Sequence, residues 1–423
     1  MRLAAQPVPR VIDRPPPVAT ACERVDALVD ASPLASVTSI AVRDAGSGAL
    51  LLARDADRAV PPASNAKLAT ARAALAVLGP EHRFRTSVAA ARPPDAAAVV
   101  AGDLRLVGRG DPALDVDDLA ALAEQLRSAG VRAIEGRVVG DDSWFDDTQW
   151  VASWPQRLRL RYTRPLGALL VAERDPNSIT RTGDSPAPAA RAAQLLESQL
   201  VAHGIDVRGS DPRPQDPADA GAAAELAFHE SPPVGEIVRH MLVHSSSTTA
   251  ELLARSIGRA VAGAGTTSAG ASAIRDAWPQ VDDQVVVADG SGLDPTNRVT
   301  TRAVTDLLVA AEQDSGRGDL RLLPRMAVGG RSGTVARRMR DPMLAGRVHA
   351  KTGTLARSSA LSGYLSSRGS APLAFSIVMH PIDPAQLAAA RALQDSIVGA
   401  LAGVAALTPS STSAGRAPRD GTP

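Results

Sequence analysis

The sequence is most informative at first in what it lacks. Its 423 residues include one cysteine, Cys22, so no disulfide can form within the chain, and no CxxC or Cys/His cluster offers zinc-ligand spacing. Aromatic residues make up only 2% of the chain, so the core has to be built from Ala, Val, Leu and Ile. Charge of either sign is not in excess: the formal net charge is +1, which gives no strong pull toward nucleic acid or an anionic membrane. No run of about 18 apolar residues occurs, so no transmembrane helix is expected. The start "MRLAAQPVPRVIDRPPPVAT" has no apolar stretch of signal-peptide length, and "VIDRPPPVATAC" lacks the one a lipid-anchored Cys22 would need, so a free thiol is expected. A Pro-rich stretch of this kind often follows a signal peptide, and a start further upstream is expected.

Hydrophobic residues make up 44% of the chain and charged residues 22%, which suits a globular protein with a real core. At this length, two or more domains or one domain with insertions is expected. Residues 1–21 read as a Pro-rich linker. Residues 22–30 read as a short helix, and 38–54 as two strands around "AGSG". "SNAKLATARAALAVL" (64–78) reads as a helix with Ser64 at its start and Gly79-Pro80 ending it. From 85 to 225 the texture alternates strand signals ("GDLRLVGRGDPAL", "EGRVVGDDSWF") with helical ones ("VDDLAALAEQLRSAG", "APAARAAQLLESQLVAHG") and ends in a Pro/Asp/Ala linker at about 210–224. That stretch is expected to be an inserted α/β module. Helices are expected at about 233–262, 300–313 and 384–406, and strands in "GRVHAKTGTL", "SALSGYLSS" and "PLAFSIVMH". Residues 22–84 and 226–407 then form one domain, and 408–423 read as a disordered tail.

Two short motifs carry chemistry. In "ASNAKLAT", Ser64 and Lys67 stand three apart at a helix start, which puts both side chains on one face. A serine hydroxyl needs a base within hydrogen-bond reach, and a lysine serves if burial lowers its pKa. Alone, the pattern equally describes a capping serine and a solvated lysine. In "HAKTGTL", Lys351, Thr352 and Gly353 lie in a strand-like segment, where lysine and threonine can hold a carboxylate; alone, they equally describe a charged edge strand. The pair, in this order and these contexts, is the signature of penicillin-binding proteins and serine β-lactamases.

The stretch 24–407 resembles the D-alanyl-D-alanine carboxypeptidase/endopeptidase family of class C low-molecular-mass penicillin-binding proteins (peptidase family S13). "RAVPPASNAKLATARAALAVLGPEHRFRT", "GDLRLVGRGDPAL", "GRVVGDDSWFD", "VADGSGLDPTNRVT" and "GTVARRMRDPMLAGRVHAKTGTL" carry the resemblance. It implies an α/β transpeptidase-like fold: an antiparallel sheet flanked by helices, a helical subdomain, and a large insertion between the first two motifs. From Lys67 to Ser245 is 178 positions, far more than in ordinary β-lactamases. It further implies that Ser64 is the acylated nucleophile and Lys67 its proton acceptor. Lys351 and Thr352 would bind the substrate's terminal carboxylate beside Gly353, and the backbone N–H groups of Ser64 and Thr354 would form the oxyanion hole.

"VHSSSTTAELLARSIG" aligns on its "AELLARSIG" part. Ser245 falls on the family's proton-relay serine and Ser247 on its asparagine. A serine there is shorter and has no amide, so turnover is expected to suffer more than acylation. A serine or threonine of the same run should cap the helix that follows. "DGSGLDPTNRVT" (289–300) reads as a loop flanking the site, the Arg pair of "VARRMRD" as surface or domain-contact charge, and His240, His244 and His349 as local polar residues. The expected activity is a serine DD-peptidase of the cell envelope, acting on peptidoglycan peptides, inhibited covalently by β-lactams, and needing no metal or organic cofactor. A β-lactamase or esterase on the same core, or a catalytically weakened peptidoglycan-binding homologue, are the alternatives.

Overall fold

A computed structural model describes residues 16–172, 187–209, 213–214, 224–279, 283–314, 319–367 and 369–403. Its backbone is a six-stranded antiparallel sheet. The spatial order is Ala327–Val328, Val348–Leu355, Ser358–Leu365, Leu373–Met379, Thr38–Asp44, Leu50–Arg54. The late strands thus pair with the early hairpin, and "LAFSIVM" becomes a central strand buried along its whole length. That burial needs apolar cover on both faces. One face carries helices Pro16–Asp30 and Leu387–Ala402, whose Val25, Val29, Leu393 and Ile397 meet Ile40, Leu361 and Ile377. In the C-terminal helix, Ala390, Leu393, Gln394, Ile397, Val398 and Leu401 are buried, the three-and-four spacing of an amphipathic helix.

The other face meets a helical layer: Lys67–Val77, Val234–His244, Ser247–Ala262, Thr267–Asp276 and Thr301–Gln313. Tyr364 crosses from the sheet and donates its hydroxyl to Leu308 O at 2.8 Å. With so few aromatics, this core is mainly Ala, Leu, Val and Ile.

The N-terminal helix begins at Pro16, inside the stretch read as linker. The residues between 16 and 21 are therefore helical. The misreading has a simple cause: proline is well tolerated in the first turn, where its missing N–H has no intrahelical acceptor. Cys22 lies in this helix, 2% exposed, and its thiol donates to Leu51 O at 3.3 Å. Two other readings fall wholly or partly outside the described residues, the tail 408–423 and the linker at 210–224. No helix among the described residues is long and apolar enough to cross a membrane.

Residues between the early helix and Val234 build two further sheets. One has the order Ala224–Glu230, Arg85–Ala90, Leu104–Val107, Val138–Asp141, Arg213–Pro214; the other is a short parallel set, Val99–Val100, Ala133–Ile134, Asp206–Val207. We propose that residues 85–225 form a module of their own. Its support is a separate apolar cluster, including Leu104, Leu122, Leu126, Leu196 and Leu200, and the pairing of its outgoing strand Arg85–Ala90 with the returning Ala224–Glu230.

Candidate active site

Ser64 is delivered by a 3-10 turn, Ala63–Ala66, that runs directly into the helix Lys67–Val77. Ser64 therefore lies inside the turn and makes no side-chain cap bond. Ala63, just before it, has φ +49°, a left-handed conformation that costs an L-residue on the order of 1–2 kcal/mol. Two glycines hold this turn. A Cβ on Gly353 would stand 2.8 Å from Pro62 O, and one on Gly292, itself at φ +84°, would stand 1.9 Å from Ala63 O. The glycine of Lys-Thr-Gly was expected to admit a ligand to the strand; it also admits the turn that carries Ser64.

Lys67 Nζ is the hub. It lies 3.0 Å from Ser64 Oγ, 3.2 Å from Ser247 Oγ and 2.7 Å from Ser291 O. The side chain is 0% exposed. Burial pushes its ammonium down to about 8, against the pull of the Asp289 and Glu251 carboxylates, which favour the charged form. At neutral pH a usable fraction is then the free amine, within hydrogen-bond reach of the Ser64 hydroxyl.

The stretch "HSSSTTAE" divides its serines by backbone geometry. Ser245 ends the helix Val234–His244 in the left-handed region (φ 60°, ψ 35°) and accepts a bond from Lys351 Nζ at 2.7 Å. Ser246 caps the next helix, accepting from Thr249 N at 3.2 Å. Ser247, first in that helix, faces Lys67. The structure pairs Ser245 with Lys351, while Lys67 bonds Ser64 and Ser247, so the relay serine expected beside Lys67 is bonded to the other lysine. Lys351 is likewise 0% exposed. Burial, and then the positive charge of Lys67, hold it well below the ordinary lysine range. An incoming carboxylate would supply the missing counter-charge. Thr352 donates to Thr334 Oγ1 at 2.9 Å, and Thr354, exposed near the end of the same strand, accepts from Arg391 Nη2 at 3.4 Å.

Several contributors lay outside the motifs. Asn65 donates to Ser362 Oγ at 2.7 Å, tying the turn that carries Ser64 to the sheet. The loop 289–297, read as flanking, supplies the Ser291 carbonyl to Lys67 and the Gly290 carbonyl to Thr70. Its shape is set by Asp289, which accepts from Trp154 Nε1, Gly292 N, Asp294 N and Asn297 Nδ2 at 2.7–2.9 Å. Glu251 is 0% exposed; burial, with the nearby charge of Asp289, raises it to about 8 against the Ser291 hydroxyl and the Gly290 N–H, which favour the charged form. The Glu was visible in "TTAELL", but nothing local marks it as buried. Arg338 of "VARRMRD" bonds Asp395 at 2.7 Å, so it fastens the C-terminal helix rather than facing solvent. None of His240, His244 and His349 bonds Ser64 or Lys67: His240 and His244 face each other with ring centroids 4.7 Å apart.

A hydroxyl held by a buried, depressed lysine at a helix start, facing a second lysine on a sheet strand, has the form of a Ser-x-x-Lys acyl-transfer site on a penicillin-binding-protein-like fold. The comparisons name the family. A model of the D-Ala-D-Ala carboxypeptidase 3 (S13) family matches residues 21–187 and 173–403, and the chain belongs to that family. It is 35% identical over 459 residues to a D-alanyl-D-alanine carboxypeptidase of Actinomadura sp. strain R39, covering 90% of this chain and 84% of that one. Its fold is shared with penicillin-binding protein 4 (DacB) of Haemophilus influenzae, at TM-score 0.75 and 19% identity over 89% of this chain and 99% of that one. It is shared too with a predatory peptidoglycan endopeptidase of Bdellovibrio bacteriovorus, solved in its penicillin G-acylated form with an immunity protein (TM-score 0.58, 20% identity, 86% and 92% covered).

Proposed function

We propose that the protein is a penicillin-binding serine D-Ala-D-Ala carboxypeptidase/endopeptidase that acts on peptidoglycan stem peptides in the cell envelope. The observation that carries this is Lys67: fully buried, lowered to about 8, and 3.0 Å from Ser64 Oγ. Family membership and the 35% identical carboxypeptidase support the substrate class.

Ser64 Oγ attacks the carbonyl carbon of the penultimate D-Ala while its proton passes to the Lys67 amine. The backbone N–H groups of Ser64 and Thr354 stabilise the oxyanion, a contribution of about 3–4 kcal/mol where such donors are preorganised. The C–N bond breaks, and the leaving amine takes up the proton that Lys67 accepted, passed on by the Ser245 hydroxyl, which Lys351 holds at 2.7 Å; Lys67 is thereby returned to its free amine. Water then hydrolyses the ester and regenerates the Ser64 hydroxyl. The substrate's terminal carboxylate sits against Lys351 and Thr352, where Gly353 adds no side chain, with the Arg391 guanidinium near the outer end of the strand. Ser247 replaces an asparagine at Lys67 and contributes one hydroxyl instead of an amide. It still reaches the lysine, which favours a working site over a silent one.

The direct test is a synthetic stem peptide ending in D-Ala-D-Ala. The expected result is release of one D-alanine per peptide, lost in Ser64→Ala. Unchanged peptide with wild-type protein over many hours would overturn the proposal.

A further inference from the structure

We propose that a pocket at the far end of the two active-site helices binds a phosphate ester. The cavity, about 430 Å³, lies where the loop after the Lys67–Val77 helix meets the second half of the Ser247–Ala262 helix and the 85–225 stretch. At 1.5 Å per helical residue, Leu78 and Ser256 in its wall stand roughly 14–17 Å along their helices from Lys67 and Ser247. It is therefore separate from the site at Ser64.

The lining includes four arginines and no carboxylate. Arg85 is already neutralised by Glu225. Arg83, Arg109 and Arg259 have no carboxylate within ion-pair distance among the described residues. Arg83 donates to Ser231 O and Arg259 to Gly263 O. Arg109 and Arg259 each hold their guanidinium 4.3 Å from the centroid of the Trp144 ring. Both positive charges are thus fixed within twice that distance of each other, with no protein counter-ion. A guanidinium over a ring face still has N–H groups for other acceptors, Arg259 those not bonded to Gly263 O, and that planar fork matches phosphate oxygens.

A second observation points the same way. Ser256 is 4% exposed and lines the pocket, yet its hydroxyl has no hydrogen-bond partner. An orphaned buried hydroxyl is costly unless a ligand completes it. Gly110 of "GRGDP", at φ +86°, passes so close that a Cβ there would stand 3.0 Å from Ser256 Oγ. Burial lowers the pKa of the His82 imidazole, leaving a neutral ring that can add a further N–H to an anion. A phosphate monoester carries a charge of about −1.5 to −2 at neutral pH and a phosphodiester about −1 per linkage, and either presents anionic oxygens that two guanidiniums can share. The cavity leaves room beside one phosphate, which suits a phosphate ester, either free or part of a phosphodiester chain.

The test is calorimetric titration at fixed ionic strength with inorganic phosphate, glycerol 3-phosphate, a short phosphodiester-linked glycerol phosphate oligomer, and acetate. Wild type is expected to bind the phosphate probes. Arg109→Gln with Arg259→Gln should weaken that binding at least about tenfold, as expected on losing two charge-assisted contacts. Ser256→Ala should weaken it severalfold without lowering Tm. Unaltered circular dichroism of each variant shows that the fold is retained, independently of any enzyme activity. Tighter binding of the oligomer assigns the ligand to a polymer, and equal binding to a free ester; either supports the proposal. It is overturned if no phosphate probe binds, if acetate binds as well as phosphate, or if the variants bind as wild type does.

Discussion

Lys67→Met is expected to slow acylation of Ser64 by a β-lactam by about 10³-fold or more, since a positioned general base contributes roughly 10²–10⁴. Methionine nearly matches the volume of the lysine and carries no charge to bury. The variant should fold with a lowered Tm, because losing the 0% exposed amine relieves its desolvation but leaves the Ser291 carbonyl and the Asp289 and Glu251 carboxyls without its charge. The pH profile sharpens the prediction. Burial lowers Lys67 to about 8, so the base form grows as pH rises. The wild-type acylation rate should climb close to tenfold per pH unit below 8 and level off above it. The residual rate of Lys67→Met should lose that limb. Stopped-flow acylation with a chromogenic or fluorescent β-lactam between pH 5 and 10 measures both. A variant with the same limb would place the base elsewhere.

Gly292→Ala has the second large effect. At φ +84° an alanine pays on the order of 1–2 kcal/mol for the left-handed backbone alone. Its Cβ would also stand 1.9 Å from Ala63 O and 2.6 Å from Ala63 C, and a backbone atom cannot rotate away as a side-chain tip can. Either the 289–297 loop or the turn that carries Ser64 must move. Overpacking adds about 1–3 kcal/mol, so a total loss near 3 kcal/mol or more is expected. The displaced group is the residue before Ser64, and a misplacement of about 1 Å can cost 10²-fold in rate. Gly263→Ala is the control. Its φ is +69° with nothing within 4 Å of the added Cβ, so it carries the backbone cost without the collision. It should lose about 1 kcal/mol and keep full acylation. Thermal melts and acylation rates of both variants decide this; equal behaviour of the two would remove the proposed clamp on Ser64.

These contrasts show what was legible in the sequence and why. Ser64-x-x-Lys67 could be read because its geometry is local: three residues at a helix start bring the two side chains together whatever surrounds them. Lys351-Thr352-Gly353 could be read because a strand-like segment is followed by two more apolar strand-like segments. The large antiparallel core followed from the resemblance, and the six-stranded sheet and the shared fold of penicillin-binding protein 4 agree with it. The sequence was silent where contacts are long-range. Gly292 meets Ala63 across 229 positions, and nothing near "DGSGLDP" announces that approach. Glu251 looks like any helix carboxylate until the fold buries it. The division of labour among Ser245, Ser246 and Ser247 depends on Ser245 turning left-handed. That conformation breaks one helix from the next and aims one hydroxyl at Lys351, another at Lys67, and leaves the third to cap.

The central claim is that Ser64 becomes covalently acylated in a site built around Lys67. Intact-mass analysis after incubation with penicillin, followed by peptide mapping, tests it most directly. The predicted result is a single adduct of one penicillin mass on the peptide containing Ser64, absent from Ser64→Ala. An adduct that persists in Ser64→Ala, or wild-type protein that gains no mass, would contradict it.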